Sequence, residues 1–478
     1  MSKKNQNYTN RKQNRFQPER MRGNIFVNNS GKQWLPGKNG RAAKVERLLR
    51  GLEKKEIAGN MAGYKDSGIE YIGQVPKDWE VLRLKNISNI YAAKEYLFGE
   101  WPVEKNGKPY SPFGEWSSGN EVIITGRVGT IGQYEMLEKN PKKKILINDN
   151  RLLIRPFTED YRKKALSHFL FWAMAIVNLN DIITGSAVPL ITATSLLKKR
   201  IVVPPLPEQQ RIADFLDTKC GILDRTIDAV SRQIEDLEKY KKALITKTVT
   251  KGICKKGEPE RAMKDSGVEW IGEVPEEWSV KRLKYVLDSI RNGAPAAAVE
   301  YSPELPRYIR ITDIDDNGRL KETGKQSLPE DIAKRYMLDK EAVLIASVGS
   351  LGKTMLFNPD TEKEKCAFAG YLIEAVTNPE AMNSKFLFYF IKSNAYMDWA
   401  NRNFVQTTIQ NLSAGRHKNL PVTVPPLAEQ QQIADYLDEK CKNIDNRVQK
   451  RRQQLEWLKE YKKSLIFDYV TGKKRVEK

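Results

Sequence analysis

PPLPEQQRIADFLDTKC at residues 204–220 and PPLAEQQQIADYLDEKC at residues 425–441 are one stretch written twice, identical at 13 of 17 positions. Each copy follows a double proline, which favours an extended entry, and opens a long run of helix-forming residues. In the first copy apolar side chains fall at Leu216, Cys220, Leu223, Ile227, Val230, Ile234, Leu237 and Leu244. Steps of three and four make this a heptad seam. The second copy carries Leu437, Cys441, Ile444, Val448, Leu455, Leu458 and Leu465 in the same frame, interrupted by Arg451 where Val230 stands. Charged and amide side chains fill the positions between. One apolar stripe on an otherwise wet helix needs a partner, and the other copy supplies a matching one. The reading is two helices of about 40 residues, roughly 60 Å long at 1.5 Å per residue, paired antiparallel.

A second doubled motif lies upstream: KDSGIEYIGQVPKDWEVLRLK from Lys65 and KDSGVEWIGEVPEEWSVKRLK from Lys264. The order of motif, intervening segment and long helix therefore runs twice. Between the landmarks the halves hardly match, apart from a weak echo of TGRVGTIG at 125–132 in IASVGSLG at 345–352. A shared frame holding two different surfaces leaves this trace, because frame residues answer to packing and surface residues to a ligand. The intervening segments mix short apolar runs (EVIITGRV, RLLIRPF, AVLIASVG, GYLIEAV) with helical stretches, which is α/β or α+β patterning. The boundaries read as a basic leader at 1–60, a first globular domain at 61–203, a long helix at 204–253, a second globular domain at 254–424, a second long helix at 425–472 and a basic tail at 473–478.

Net charge is +21 over 478 residues, and the leader alone holds 15 Lys and Arg against 4 Asp and Glu. Its few apolar residues before Leu48 predict a disordered basic arm, and Met61 is an alternative start. Basic excess of this kind points to a polyanionic partner. Cys220, Cys254, Cys366 and Cys441 form no CxxC pair, and His168 and His417 stand in no metal-ligand spacing, so no metal site is expected. FLFWAMAIV from Phe169 is too short to span a bilayer and reads as a core helix.

Signatures of bond-making chemistry are incomplete. SVGSLGKT at 347–354 lacks the first glycine of a phosphate-binding loop and reads as a turn between strands. PDTEKEK at 359–365 is one charged loop rather than a nuclease carboxylate pair, and no Asn or Asp followed by Pro-Pro and an aromatic marks an aminomethyltransferase. ITDIDDNGRL at 311–320 lacks calcium-loop spacing and reads as a strand ending in an Asp-Asn-Gly turn. Side chains able to read base edges are present instead. Arg can grip guanine and Asn or Gln adenine in the major groove, and the candidates are Arg127, Thr184, Ser186, Arg307, Arg310, Arg402, Asn403, Gln406 and Thr407.

The doubled PPLxEQQxIADxLD, each copy preceded by a divergent segment opening with IGxVPxxW, resembles the DNA specificity subunit of type I restriction-modification systems across roughly residues 64–472. The resemblance implies a subunit without catalysis or cofactor of its own, built as two target recognition domains separated by a long antiparallel two-helix coiled coil in a pseudo-twofold repeat. Its implied partners are double-stranded DNA, two methyltransferase subunits and restriction/translocase subunits, with S-adenosylmethionine, ATP and Mg held by those partners, in the cytoplasm and away from membrane. Because the two divergent segments differ, the target is expected to be asymmetric and bipartite. The alternatives are a stand-alone nuclease or methylase, which the missing motifs disfavour, and a non-DNA coiled-coil scaffold, which the charge and the divergent inserts disfavour.

Overall fold

The computed structural model describes residues 22–23, 63–92, 122–126, 131–136, 151–157, 164–185, 189–253, 261–362, 364–403 and 412–476. The chain forms two compact units, one of Met1–Ile227 with Glu456–Lys478 and one of Asp228–Leu455. Both boundaries fall inside the long helices, Leu206–Lys251 and Leu427–Val470. Each unit thus contains the front of one helix and the back of the other, a division different from cuts at residues 203 and 424. Packing gives the reason. Ile212, Leu216 and Cys220 from the first helix and Ile466 and Val470 from the second are buried in the core of the first unit, while Ile245 and Val249 join Ile433, Leu437 and Cys441 in that of the second.

Within each unit the two helix segments run antiparallel. In the first, Phe215 packs on Tyr469 with ring centroids 4.4 Å apart and Lys462 binds Asp224 at 2.6 Å. In the second, Lys241 binds Asp445 at 2.6 Å and Arg452 binds Glu238 at 2.7 Å. The stripe read from sequence is the covered face: Leu216, Val230, Ile234, Leu437, Ile444, Val448 and Leu458 are buried, and Leu223, Ile227, Leu237 and Leu455 half-buried.

The first unit has a five-stranded antiparallel sheet in the order Arg22–Gly23, Tyr134–Met136, Val122–Thr125, Arg151–Pro156, Ser88–Ala92. Of the leader only residues 22–23 are described, as that edge strand. In the second unit the antiparallel order is Leu287–Asn292, Leu372–Thr377, Ala342–Ala346, Thr354–Phe357. A further sheet of Val299–Glu300, Gln326–Ser327, Arg307–Ile309 and Cys366–Phe368 is peculiar to this unit among the described residues, and its last pair is parallel. Much of the additional length of the second segment is here. The run at 311–320 is a 3-10 turn, Ile311–Asp313, rather than a strand, because the Asp313 carboxylate turns back to accept from the Arg310 backbone N–H at 2.9 Å. Its Asp-Asn-Gly turn is present, with Gly318 at φ 82°.

The doubled motifs are the joints of this frame. In KDSG, Asp66 and Asp265 accept from the N–H of Gly68 and Gly267, starting the hairpins Tyr64–Asp66/Gln74–Pro76 and Met263–Asp265/Glu273–Pro275. Buried Trp79 donates from Nε1 to Glu208 at 3.0 Å, and Trp278 to Glu429 at 2.9 Å. Both carboxylates stand in the first turn of a long helix, where the helix dipole favours negative charge. The next residue is a fully buried glutamine. Gln209 accepts from Leu166 N–H and donates to the carbonyls of Lys164 and Pro204; Gln430 accepts from Asn383 N–H and donates to those of Ala381 and Pro425. Gly472, which ends the second helix at φ 71°, lies against Pro76, where a Cβ would come within 2.5 Å of the ring.

One buried base in the second unit makes its stability pH-dependent. His417 is fully buried, with Nε2 3.0 Å from the Tyr396 hydroxyl, and burial pushes its pKa down from 6.5 to about 4. The unfolded chain therefore takes up a proton that the folded chain refuses. The stabilisation is complete above pH 6.5 and is lost as pH falls towards 4, about 3 kcal/mol in all. His168, held by Asp217 at 3.0 Å and raised by that bond, works in the opposite direction. Chemical denaturation of the wild type and of His417→Gln should show the wild type losing stability faster between pH 7 and 5; parallel curves would contradict this.

Candidate nucleic-acid interface

In each unit one backbone hydrogen bond brings two loops side by side. Strand Val122–Thr125 ends at Gly126, whose carbonyl accepts from Ile191 N–H at 2.8 Å; strand Ala342–Ala346 ends at Ser347, whose carbonyl accepts from Leu412 N–H at 2.9 Å. The residue after each donor caps a short helix: Thr192 accepts from Ser195 N–H and Ser413 from Arg416 N–H. These helices lead through strands Arg200–Val203 and Pro421–Val424 into the doubled prolines. The same scaffold thus holds the residue after a core strand against the residue before the cap in both units.

Arg127 and Ser186 in the first unit, and Gln406 and Thr407 in the second, lie outside the described residues. Thr184 is exposed at the rim, bridged to Leu190 by backbone bonds of 3.0 and 2.8 Å. Tyr371 was not singled out in the sequence, where GYLIEAV reads only as a strand. The residue is 61% exposed, and its carbonyl accepts from both N–H and Oγ of Ser347 at 2.9 Å. An aromatic face held on a strand end beside a polar loop is suited to stacking on a base.

The arginines separate into two kinds. Arg307 is 4% exposed; it donates to the Lys321 carbonyl and lies 3.6 Å from Glu322 and Glu364. Arg310 is held by both Asp313 oxygens, at 2.9 and 2.7 Å, and by the Gly324 carbonyl at 2.8 Å. A guanine reader needs two free parallel donors, and in this structure the donors of both are occupied in bracing the additional sheet. Arg402 is bidentate to Glu269 at 2.7 and 2.9 Å and lies over Trp270, but the pair is solvent-exposed. Such a pair holds its partners weakly. Asn403 donates to the Trp399 carbonyl at 2.9 Å, at the point where the chain enters residues 404–411.

Nothing in the described residues groups three or more His, Cys, Asp or Glu side chains as a metal site. Burial pushes the thiols of Cys220 and Cys366 up to about 12 and that of Cys441 to about 11, which keeps them protonated. Cys254 lies outside the described residues.

A family model described as the type I restriction modification DNA specificity domain matches the chain twice, at residues 76–239 and 275–456. The chain belongs to this family. Each match spans an upstream tryptophan motif, a divergent segment and the front of a long helix. The chain is 24% identical to the type I restriction enzyme MjaVIII specificity subunit of Methanocaldococcus jannaschii, over 84% of this chain and 95% of that one. It is 23% identical to the EcoBI specificity subunit of Escherichia coli, over 77% and 80%. A chain from a structural study of complex assembly and conformational transition in a type I R-M system superposes with a TM-score of 0.56 at 17% identity, covering 83% of this chain and 99% of that one. That likeness concerns the fold. As a specificity subunit, the chain supplies the DNA recognition of a type I restriction-modification system.

Proposed function

We propose that the two units each read one half of an asymmetric, bipartite DNA sequence through the paired loops described above. The observation that carries this reading is the duplicated frame around unlike contents. Trp79–Glu208 and Trp278–Glu429 are the same joint, as are the Gln209 and Gln430 clamps, and four strands of each main sheet share one order, yet the first unit adds the edge strand Arg22–Gly23 and the second adds a whole further sheet. Identical mounting of different surfaces is what reading two unlike half-sites requires. The proposed readers are Arg127, Thr184 and Ser186 in the first unit, and Tyr371, Arg402, Asn403, Gln406 and Thr407 in the second.

The finer architecture belongs to the same proposal. The long helices form an antiparallel coiled coil that spaces the recognition domains as a pseudo-twofold pair, with domain limits at 61–203 and 254–424 and a leader dispensable for sequence choice. The chain performs no catalysis. It docks two methyltransferase subunits and, through the assembled complex, restriction/translocase subunits, and those partners hold S-adenosylmethionine, ATP and Mg. The working compartment is the cytoplasm; no helix among the described residues is long and apolar enough to cross a membrane.

The test is exchange of residues 285–424 for the corresponding block of a relative with a different target. Methylated-base sequencing should then show one half of the recognised sequence replaced and the other intact. Replacement of both halves, or of neither, would refute independent reading.

A further inference from the structure

We propose that the second unit carries a phosphate-binding cleft beside its long-helix segments, and that the occupant is the sugar-phosphate backbone of the bound DNA. The proposal rests on the DNA-recognition reading above. The cleft measures about 750 Å³ and opens between the back of the first helix, the front of the second and the loops at 316–319 and 351–352. Lys241, Lys242, Arg319, Lys392, Lys442 and Arg452 line it against the carboxylates of Glu238, Asp316 and Asp445.

Two of the cations are already matched, Lys241 by Asp445 at 2.6 Å and Arg452 by Glu238 at 2.7 Å. Lys242, Arg319 and Lys442 are exposed and form no ion pair among the described residues. Lys392 is the unusual one. Its ammonium lies over the Phe388 ring at 4.5 Å and reaches the Asp316 carbonyl only at 3.4 Å. Burial and the neighbouring Lys241 push its pKa down to about 8. The carboxylates of Asp445 and Asp315 offset this only in part, and a partly desolvated cation next to another cation is stabilised by a further anion.

Comparison of the two units removes packing as the explanation. The Lys241–Asp445 pair has its counterpart in Lys462–Asp224, so it belongs to the duplicated frame. Lys242 likewise has a counterpart in Lys463, but Lys392, Lys442 and Arg452 have none. Lys392 follows helix Ser384–Ile391 where Ala175 follows the matching helix Ser167–Met174. Lys442 stands after Cys441 where Gly221 follows Cys220, and Arg452 stands where the repeat has Ser231. The frame folds around the shared pair without them in the first unit. Of the additional charge in the second, Arg452 is held by Glu238, and Lys392 and Lys442 are available for a ligand.

That ligand is identified by its chemistry. The lining holds no aromatic side chain on which a nucleobase could stack, which favours a bare phosphodiester run over a nucleotide. Binding by lysines and arginines to phosphates releases counterions and lowers the log of affinity by about 0.9 per log unit of salt for each phosphate neutralised.

The test uses the full chain with its methyltransferase partner and compares the wild type with the triple variant Lys242→Gln/Arg319→Gln/Lys442→Gln, whose positions are exposed and outside the core. Titration of target DNA across salt concentrations should give a slope shallower by about 2 to 3, with the methylated sequence unchanged. The single variant Lys392→Met should lower it by about 1. An unchanged slope with specific binding intact would sink the cleft alone. Absence of specific DNA binding by the wild type would sink the recognition reading and the cleft with it. Tripolyphosphate titrated into the DNA-free chain supplies a further arm. Binding of that anion that is lost in the triple variant, while the DNA slope stays the same, would overturn the assignment to DNA.

Discussion

Adding four residues to both long helices should widen the gap between the two half-sites by one or two base pairs while leaving the bases of each half-site unchanged. Four residues add about 6 Å of helix at 1.5 Å per residue, against roughly 3.4 Å per base pair. They also exceed a full turn by only about 40°, so the apolar seam is displaced modestly. The insertions must be matched, one after Ile234 and one after Leu455. Lys462 binds Asp224 in one unit and Arg452 binds Glu238 in the other, so lengthening a single helix would break the pairing on one side. Retention of the parental gap by the matched variant would show that the helices are not the spacer.

Replacing the buried Gln430 by leucine should cost about 3 to 5 kcal/mol. Its side chain is fully buried and satisfies Asn383 N–H and the carbonyls of Ala381 and Pro425, so leucine leaves one buried and two part-buried backbone groups without this partner, each worth about 1 to 3 kcal/mol before relaxation. For a unit of this size the thermal midpoint should fall by about 10 °C. Gln209→Leu should do the same in the first unit. Gln431→Leu is the comparison: Gln431 is exposed, donates to Asp435 on its own helix at 2.9 Å and accepts from the Asn383 side-chain amide at 2.8 Å, and its loss should cost below about 1 kcal/mol because water can replace both bonds. Equal effects at 430 and 431 would contradict the clamp.

The frame was legible in the sequence because it is written twice. EQQ repeats since its glutamate anchors a tryptophan and its first glutamine ties three backbone groups, and the heptad stripe is the face that is covered. One echo escaped notice: SHFLFW at residue 167 and SKFLFY at residue 384 place Trp172 and Tyr389 to donate to Asp217 and Asp438, equivalent positions of the doubled motif. Two of its six letters differ, including the one that matters, and only geometry shows that an indole N–H and a phenol hydroxyl do the same work.

The candidate readers were far less legible. An arginine's letter does not say whether its guanidinium faces solvent or a carboxylate; Arg307 is buried near Glu322 and Glu364, and Arg310 is tied to Asp313. Tyr371 was hidden for the converse reason, as an aromatic in an apolar run that ends at the surface. The cationic cleft draws on residues from 238 to 452, a separation over which no local pattern is visible.

The most direct measurement is the map of methylated bases in a host that expresses this chain with its methyltransferase partner. The account predicts a single gapped, asymmetric sequence, with its two specified halves separated by unread base pairs. A continuous or palindromic methylated sequence would contradict it.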